Sequence, residues 1–350
     1  MKKIILLFSL LFGVGNLLAQ EQNEVITGVP FLLISADARA SGMGDMGVAT
    51  SPDVYSQQWN PAKYPFSENK LGVGLSYTPY LSSLTNDVAL LNLNYFNKIN
   101  ERSTYALSLR YFGLGETVFK QNENDPGQAV NPNELAFDGS YSLKLSEKFA
   151  MSVSGRYIRS DLKIQEADND GKVASSFAVD ISGYYQSNEI AFSNFNGVWR
   201  GGFNLSNLGP KLNYDLNSGA ESALPANLKL GGGFDFILDE DNTLGTSLEF
   251  NKLLVEGTNS VTSGLGLEYL YQNSFALRTG VYNDTNGIGN VNFFTFGAGF
   301  KYKAAKFDLS YLNSTSNQST SMDNILRFSL SFNIGDNAVD STENKETISN

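Results

Sequence analysis

Leu326-Arg327-Phe328-Ser329-Leu330-Ser331-Phe332-Asn333-Ile334 alternates apolar and polar residues without a break. Successive side chains of a strand point to opposite faces. Leu326, Phe328, Leu330, Phe332 and Ile334 therefore share one face, and Arg327, Ser329, Ser331 and Asn333 share the other. The same reading holds farther up the chain. Tyr105, Leu107, Leu109 and Tyr111 oppose Thr104, Ala106, Ser108 and Arg110. Leu135, Phe137, Tyr141, Leu143 and Leu145 oppose Glu134, Asp138, Ser140, Ser142 and Lys144. Phe294, Phe296, Phe300 and Tyr302 oppose Thr295, Gly297, Gly299 and Lys301. A one-residue slip would turn every charge to the opposite face. A Lys or Arg facing lipid at mid-depth costs on the order of 2–4 kcal/mol. If such a sheet spans a membrane, its apolar face must look outward.

Fourteen segments of this kind run from Leu71 to Ile334. They cover residues 71–79, 87–97, 103–113, 133–145, 148–160, 172–187, 197–207, 226–236, 242–252, 260–271, 274–283, 291–302, 304–313 and 324–334. Most are near the roughly 9–11 residues that cross a bilayer at a tilt. A soluble sandwich alternates too, so the connections decide. Those at Lys98–Arg102, Ser146-Glu147, Leu238–Asp241, Gln272-Asn273 and around Lys303 are tight. The intervening ones are longer and polar, with Gly113–Pro132 and Asn207–Pro225 the largest. The connection around Asn188–Asn196 fits this rhythm least well. Short turns on one side and longer loops on the other are expected of an outer-membrane barrel. The fold class is therefore all-β: a 14-stranded antiparallel transmembrane β-barrel. An even strand count puts both chain ends on the periplasmic side.

Lys2 and Lys3, the apolar run Ile4–Leu18 and the small Ala19 have the shape of a secretory signal peptide over residues 1–19. The run is shorter than the roughly 20 residues of a spanning helix. Residues 20–66 are too long for a linker and too apolar for a free tail, and read as a plug or hatch inside the barrel or against its periplasmic mouth. Within them Ser35 is a candidate N-cap for a short helix through Ala40, broken by Gly42, Gly44 and Gly47. Asn60-Pro61 signals a turn. The barrel spans 67–334, and 335–350 form a polar tail. That tail follows Phe332, the aromatic position that barrel assembly would read.

The chain holds 33 Gly, 24 Phe and 17 Tyr, with 17% charged residues and a net charge of −11. This suits a β-rich wall and argues against a generic nucleic-acid binder. With neither His nor Cys, Ser-His-Asp and Cys-His nucleophile systems and His/Cys zinc sites are out of reach. Disulfides and a lipoprotein anchor are excluded as well. No catalytic, cofactor or metal residues are assigned, and the only small molecules expected are membrane lipid or lipopolysaccharide.

Three motifs read as structure. Gly42-Met43-Gly44-Asp45-Met46-Gly47 matches G-x-G-x-x-G, but lacks the strand–helix context of a dinucleotide site, leaving a tightly packed plug turn. Asp168-Asn169-Asp170-Gly171 lacks the spaced ligands of a calcium loop and reads as a β-turn. Asp239-Glu240-Asp241 reads as a solvated turn. The inward charges Arg110, Asp138, Arg156, Glu249, Glu268, Arg278 and Arg327 would line the lumen, chiefly as ion pairs holding barrel and plug.

Arg39-Ala40-Ser41-Gly42-Met43-Gly44, Gly47 to Asp53, and Trp59-Asn60-Pro61-Ala62-Lys63 together resemble the N-terminal signature of the PorV family of type IX secretion in Bacteroidetes-type bacteria. Phe203-Asn204-Leu205-Ser206-Asn207-Leu208-Gly209-Pro210, Phe293 to Tyr302, and Asp308-Leu309-Ser310-Tyr311-Leu312 resemble it as well. The resemblance implies a FadL-like barrel of fourteen strands with an N-terminal hatch. It implies binding of the C-terminal signal domain of secreted cargo. It also implies hand-over from the SprA/Sov translocon to the surface attachment complex that contains the PorU sortase. No catalytic residue carries over.

Three functions compete. A cargo shuttle without enzymatic activity follows from the signature. A FadL-like transporter of hydrophobic small molecules follows from hatch and strand number, though the inward charges oppose a wholly apolar path. An enzyme acting on lipid A is weakened by the missing His. Cargo contacts belong on the outer loops 114–132, 161–171 and 208–225, where Pro126, Pro132, Asn213 and Tyr214 are the candidates.

Overall fold

The structure is a computed structural model. It describes residues 27–80, 87–120, 126–162, 165–166, 169–170, 173–214, 221–258, 261–284, 292–315 and 324–336. The expected signal peptide lies outside them, and so does the tail beyond Asp336.

Fourteen long strands form the wall: β1 Asn69–Pro79, β2 Val88–Lys98, β3 Ser103–Leu114, β4 Asn133–Lys144, β5 Phe149–Asp161, β6 Ala174–Gln186, β7 Asn196–Leu208, β8 Asn227–Ile237, β9 Asn242–Leu253, β10 Val261–Tyr271, β11 Phe275–Asp284, β12 Phe293–Tyr302, β13 Ala305–Ser314 and β14 Ile325–Asp336. Each pairs antiparallel with its sequence neighbours, and β1 pairs with β14, so the sheet closes on itself. Val73 lies opposite Phe332, and Leu75 opposite Leu330. No wall strand keeps an unpaired edge, which a lipid-embedded sheet requires.

Alternation follows the expected register. Arg327, Ser329 and Ser331 are buried inside, while Phe328, Leu330 and Phe332 are exposed outside. Leu75, Leu93, Phe137, Val153, Phe177, Leu277 and Phe296 stand bare on the outer surface. An apolar girdle this continuous would be an aggregation hazard in water and is what hydrocarbon demands. Tyr105, Tyr141, Tyr185 and Tyr302 mark its short-turn rim, and Tyr77 and Tyr111 its long-loop rim. Aromatic belts at both interfaces complete the outer-membrane pattern.

The short connections are turns with a physical reason. Gln272 and Asn273 both have positive φ, as the central residues of a type I′ turn do, and the Ser274 N–H closes that turn on the Tyr271 carbonyl (3.0 Å). The exception near Asn188–Asn196 is resolved by Ile190–Ala191, which pairs with Asn196–Gly197 as an added short strand. It sets Phe192 and Phe195 against Phe234. On the other side the loops carry short hairpins, Thr117–Phe119 with Gln128–Val130 and Leu212–Asn213 with Glu221–Ser222. Asn169–Asp170 pairs with Gln165–Glu166.

One irregularity is built in. The β6–β7 register shifts between Val179 and Ile181, and the extra residue on β7 is Asn207, with φ 61°. Its backbone N–H donates to Asp180 (2.7 Å), and its amide donates to the Pro225 carbonyl (2.9 Å). The bulge is thus tied to a charged inward side chain.

Candidate functional site

Residues 27–66 fill the lumen. They form four short turns of helix: Pro30–Leu33, Ala38–Ser41, Ser56–Trp59 and Pro61–Phe66. The first described residues lie at the long-loop end, where the Gly28 N–H donates to the Ala223 carbonyl (2.9 Å). From there the segment descends through the barrel to β1 at the short-turn end. Asn69 and Asp336 do share the short-turn end, but the described N-terminal segment starts at the opposite one. Residues 1–26 lie outside the description.

The N-cap of the first α-turn is Asp37 rather than Ser35. Asp37 Oδ1 accepts from the Ala40 N–H (2.8 Å), the spacing an N-cap uses, while its Oδ2 accepts from Trp59 Nε1 (2.7 Å). Burial, then the Asp53 charge, pushes the Asp37 carboxyl up to about 6. Lys63 is also fully buried, and burial brings its ammonium down to about 8. It donates to the Gly47 carbonyl (2.7 Å) and Thr50 Oγ1 (3.1 Å).

At the short-turn end an ion-pair chain latches plug to wall. Arg39 grips Glu268 with two nitrogens (3.0 and 2.7 Å) and Asp53 with a third contact (2.9 Å). Glu268 also meets Arg278 (2.6 Å), Arg278 meets Asp308 (2.8 Å), and Asp308 meets Lys306 (3.4 Å). Three cations alternate with three carboxylates, so the chain is neutral. A cavity of about 330 Å³ opens beside it, lined by Arg39, Asp53, Glu268, Lys306 and Asp308 among others. Among the described residues no group of three or more carboxylates could hold a metal ion.

At mid-depth the wall yields to the plug. A Cβ on Gly202 would run into the Val48 carbonyl, one on Gly231 into the Val48 side chain, and one on Gly280 into the backbone at Met43 and Gly44. Gly264 and Gly266 make room for Met46 and Met43, and Gly297 for Gly42. The Gly44 N–H, at φ 80°, donates to Thr295 Oγ1 (2.9 Å). The glycine motif is thus a packed turn seated on wall glycines. Glu249 Oε2 accepts the N–H groups of Gly47 and Val48 (3.0 and 2.9 Å). Trp59 lies beneath the Lys229 ammonium (4.3 Å), and its carbonyl accepts from Asn204 (2.9 Å). Asn60 donates to the Val48 and Gly183 carbonyls (2.8 and 2.9 Å), and the Pro61 carbonyl accepts from Ser142 (2.9 Å).

Two further charge clusters line the wall. Arg156 joins Asp138, Asp180 (2.9 Å) and the bulge residue Asn207. Arg327, fully buried, contacts Ser41, Asp45 (3.5 Å) and Tyr80 Oη (3.3 Å). Arg110 donates to the Leu32 carbonyl (3.1 Å) and has no ion pair among the described residues. Above them an apolar cap closes the long-loop end, built from Val29, Phe31, Leu32, Tyr80, Phe112, Leu212 and neighbours.

Of the four loop residues, Pro126 and Asn213 are exposed. Pro132 is buried, and Tyr214 packs against the cap with its hydroxyl donating to Ser160 (3.0 Å). Asp37 and Gln57 escaped the sequence reading, and Lys63 entered it only as the last residue of a signature stretch. Only for Asp37, three residues before Ala40, did a local signal exist.

A closed fourteen-stranded barrel with an N-terminal plug defines a class of outer-membrane protein. The solved structures it resembles are of that class. The Pseudomonas putida toluene transporter TodX shares 12% identity and a TM-score of 0.53, over 89% of this chain and 98% of that one. The Ralstonia pickettii toluene transporter TbuX shares 10% identity and a TM-score of 0.54, over 87% of this chain and all of that one. At such identities the likeness concerns the fold alone. No curated protein sequence matches the chain. Residues 18–260 match the family described as type IX secretion system protein PorV, and the chain belongs to that family. It is accordingly an outer-membrane component of type IX secretion.

Proposed function

We propose that the protein is a non-enzymatic shuttle that binds the C-terminal signal domain of secreted cargo. It receives cargo from the SprA/Sov translocon and hands it to the attachment complex containing the PorU sortase. The observation that supports this reading most is a family member whose lumen, among the described residues, is occupied by the plug from the long-loop end to the ion-pair chain. The apolar cap, the glycine seat and the ion-pair chain occupy the space a conducting path would need. What remains for recognition is the long-loop surface, facing the cell exterior, where Pro126 and Asn213 are exposed. The short turns and Asp336 face the periplasm in this reading. Cross-linking in intact outer membranes through residues placed at 126 and 213 should capture cargo signal domains or the translocon. Deletion of the gene should strand cargo short of the surface. Normal surface display in the deletion strain would refute the proposal.

The alternative, a FadL-like transporter of hydrophobic small molecules, draws on the shared fold. It predicts loss of hydrophobic-substrate uptake with cargo display intact, the opposite result in the same strain.

A further inference from the structure

On β7 and β8 the middle of the wall is bare backbone. Gly201 lies opposite Gly232, Gly202 lies opposite Gly231, and Gly233 follows on β8. A glycine inside a strand weakens it, and often marks a place where a ligand or another backbone comes close. On the inner face the plug is the reason. Side chains at Gly202 and Gly231 would run into Val48, and one at Gly233 would crowd the Ala49 carbonyl. On the outer face the chain itself supplies no reason. A Cβ on Gly201 or Gly232 would meet nothing nearer than 3.9 Å.

Over Gly232 the outer surface sinks into a groove of about 450 Å³, lined by Trp199, Leu230, Phe234, Thr246, Leu248 and Phe250 among others. Two neighbouring rings that could fill it are held away. Phe203 covers Gly183, and Phe234 covers Gly197. Phe234 is fixed there by the rings of Trp199 (4.5 Å between centroids), Phe236 (4.6 Å), Phe192 and Phe195. The groove is therefore preformed. It lies in the apolar girdle, and Tyr185 of the short-turn rim stands opposite Gly201. Its hydrogen-bonding capacity is nearly spent. The β7–β8 and β8–β9 ladders pair the backbone, and the Thr246 hydroxyl donates to the Phe234 carbonyl (3.1 Å). Trp199, half exposed, adds an indole N–H of the kind that aromatic belts turn toward headgroups. A peptide would bring unpaired polar groups into such a place, at a cost. A hydrocarbon chain brings none, and it restores the dispersion contacts that empty walls forfeit.

We propose that this groove is a lipid site, holding one acyl chain of a phospholipid against the outer face of β7–β9. With the short turns periplasmic, as in the function proposed above, the leaflet beside Tyr185 and Trp199 is the phospholipid one. The acyl chain and the plug residue Val48 then press on opposite faces of a single layer of backbone. The lipid supports from outside the stretch of wall that the plug supports from inside.

Trp199 reports on the groove directly. The protein has two Trp, and the other, Trp59, is 2% exposed inside the lumen. Phospholipid brominated in mid-chain is titrated into the full-length protein in detergent. Trp199 emission should fall to a plateau at one lipid per protein. Gly232→Leu fills the groove, and should keep the melting midpoint while losing the plateau. Gly155→Leu adds the same bulk on β5, where a Cβ has nothing within 4 Å, and should keep the plateau. Quenching that merely tracks the bulk lipid fraction in the native protein would overturn the proposal. So would a plateau that survives Gly232→Leu. If Gly232→Leu does not fold, a photoreactive residue in place of Leu248 gives the answer in intact outer membranes. Its adduct should be phospholipid, and an adduct with lipopolysaccharide or with a protein would overturn the site. Cargo display plays no part in these readouts, so the two proposals fail separately.

Discussion

Replacing Arg39 by Met removes five hydrogen bonds at one stroke: two to Glu268, one to Asp53, and two to the carbonyl and hydroxyl of Ser51. The side chain is 7% exposed and Asp53 17%, so the charges it leaves are only partly taken up by water from the adjoining cavity. Glu268 keeps Arg278, while Asp53 keeps hydrogen bonds from the Tyr55 N–H and Ser56 hydroxyl and the more distant charges of Lys63 and Lys306. Breaking a buried pair by removing one partner costs about 3–5 kcal/mol. At every 1.4 kcal/mol per tenfold, the population with an open plug rises roughly a hundredfold or more. The native chain has no Cys, so one placed at Ala49, which is 2% exposed, reports that opening through maleimide labelling. Labelling should be slow in the native background and faster by about that factor with Arg39→Met. Adding Asp53→Asn restores neutrality and should recover part of the protection. Unchanged labelling in Arg39→Met would refute the latch, as would additive loss in the double variant.

Three further outcomes follow from the same geometry. Asp37, with its folded pKa raised to about 6 from an ordinary 3.8, contributes stability at low pH that is lost as pH rises through 6. Native stability relative to Asp37→Asn should therefore grow on acidification from pH 6 to 4, by on the order of 2–3 kcal/mol, read from paired melting curves. Gly202→Val should expel the plug backbone at Val48 and lower the midpoint. Gly232→Val, whose Cβ would make only an ordinary contact with the Arg200 carbonyl at 3.9 Å, should leave it unchanged. Asn207→Ala keeps the backbone N–H bond to Asp180 but loses the side-chain bonds with the Pro225 carbonyl and Arg156 at positive φ, and should cost about 2 kcal/mol. Asn207→Gly, which keeps the backbone conformation, should cost less.

The wall was nearly complete in the sequence, and the reason is physical. Lipid outside and polar contents inside impose a period of two on every strand. Residues 87–97 and 172–187 thus came close to the observed Val88–Lys98 and Ala174–Gln186. The connection near Asn188 broke the rhythm because its residues rejoin the sheet. Inside the barrel, legibility stops at pairing. Arg39 and Glu268 each look like an inward charge, but 229 residues separate them. Wall glycines such as Gly202 or Gly280 have no meaning until the plug backbone is seen against them. Tyr214 was placed on an outer loop by its position, and packs inward because the cap offers its ring apolar neighbours.

The plug touches wall glycines on β1, β7, β8, β10, β11 and β12, while the ladder of β1 with β14 seals the circle. With an apolar cap at one mouth and an ion-pair chain at the other, residues 27–66 cannot be loaded into a finished cylinder. They act as a mandrel around which the sheet must bend before its two edges meet. Sealing then joins the two strands most distant in sequence, which by loop-closure entropy makes it the latest and slowest step of assembly.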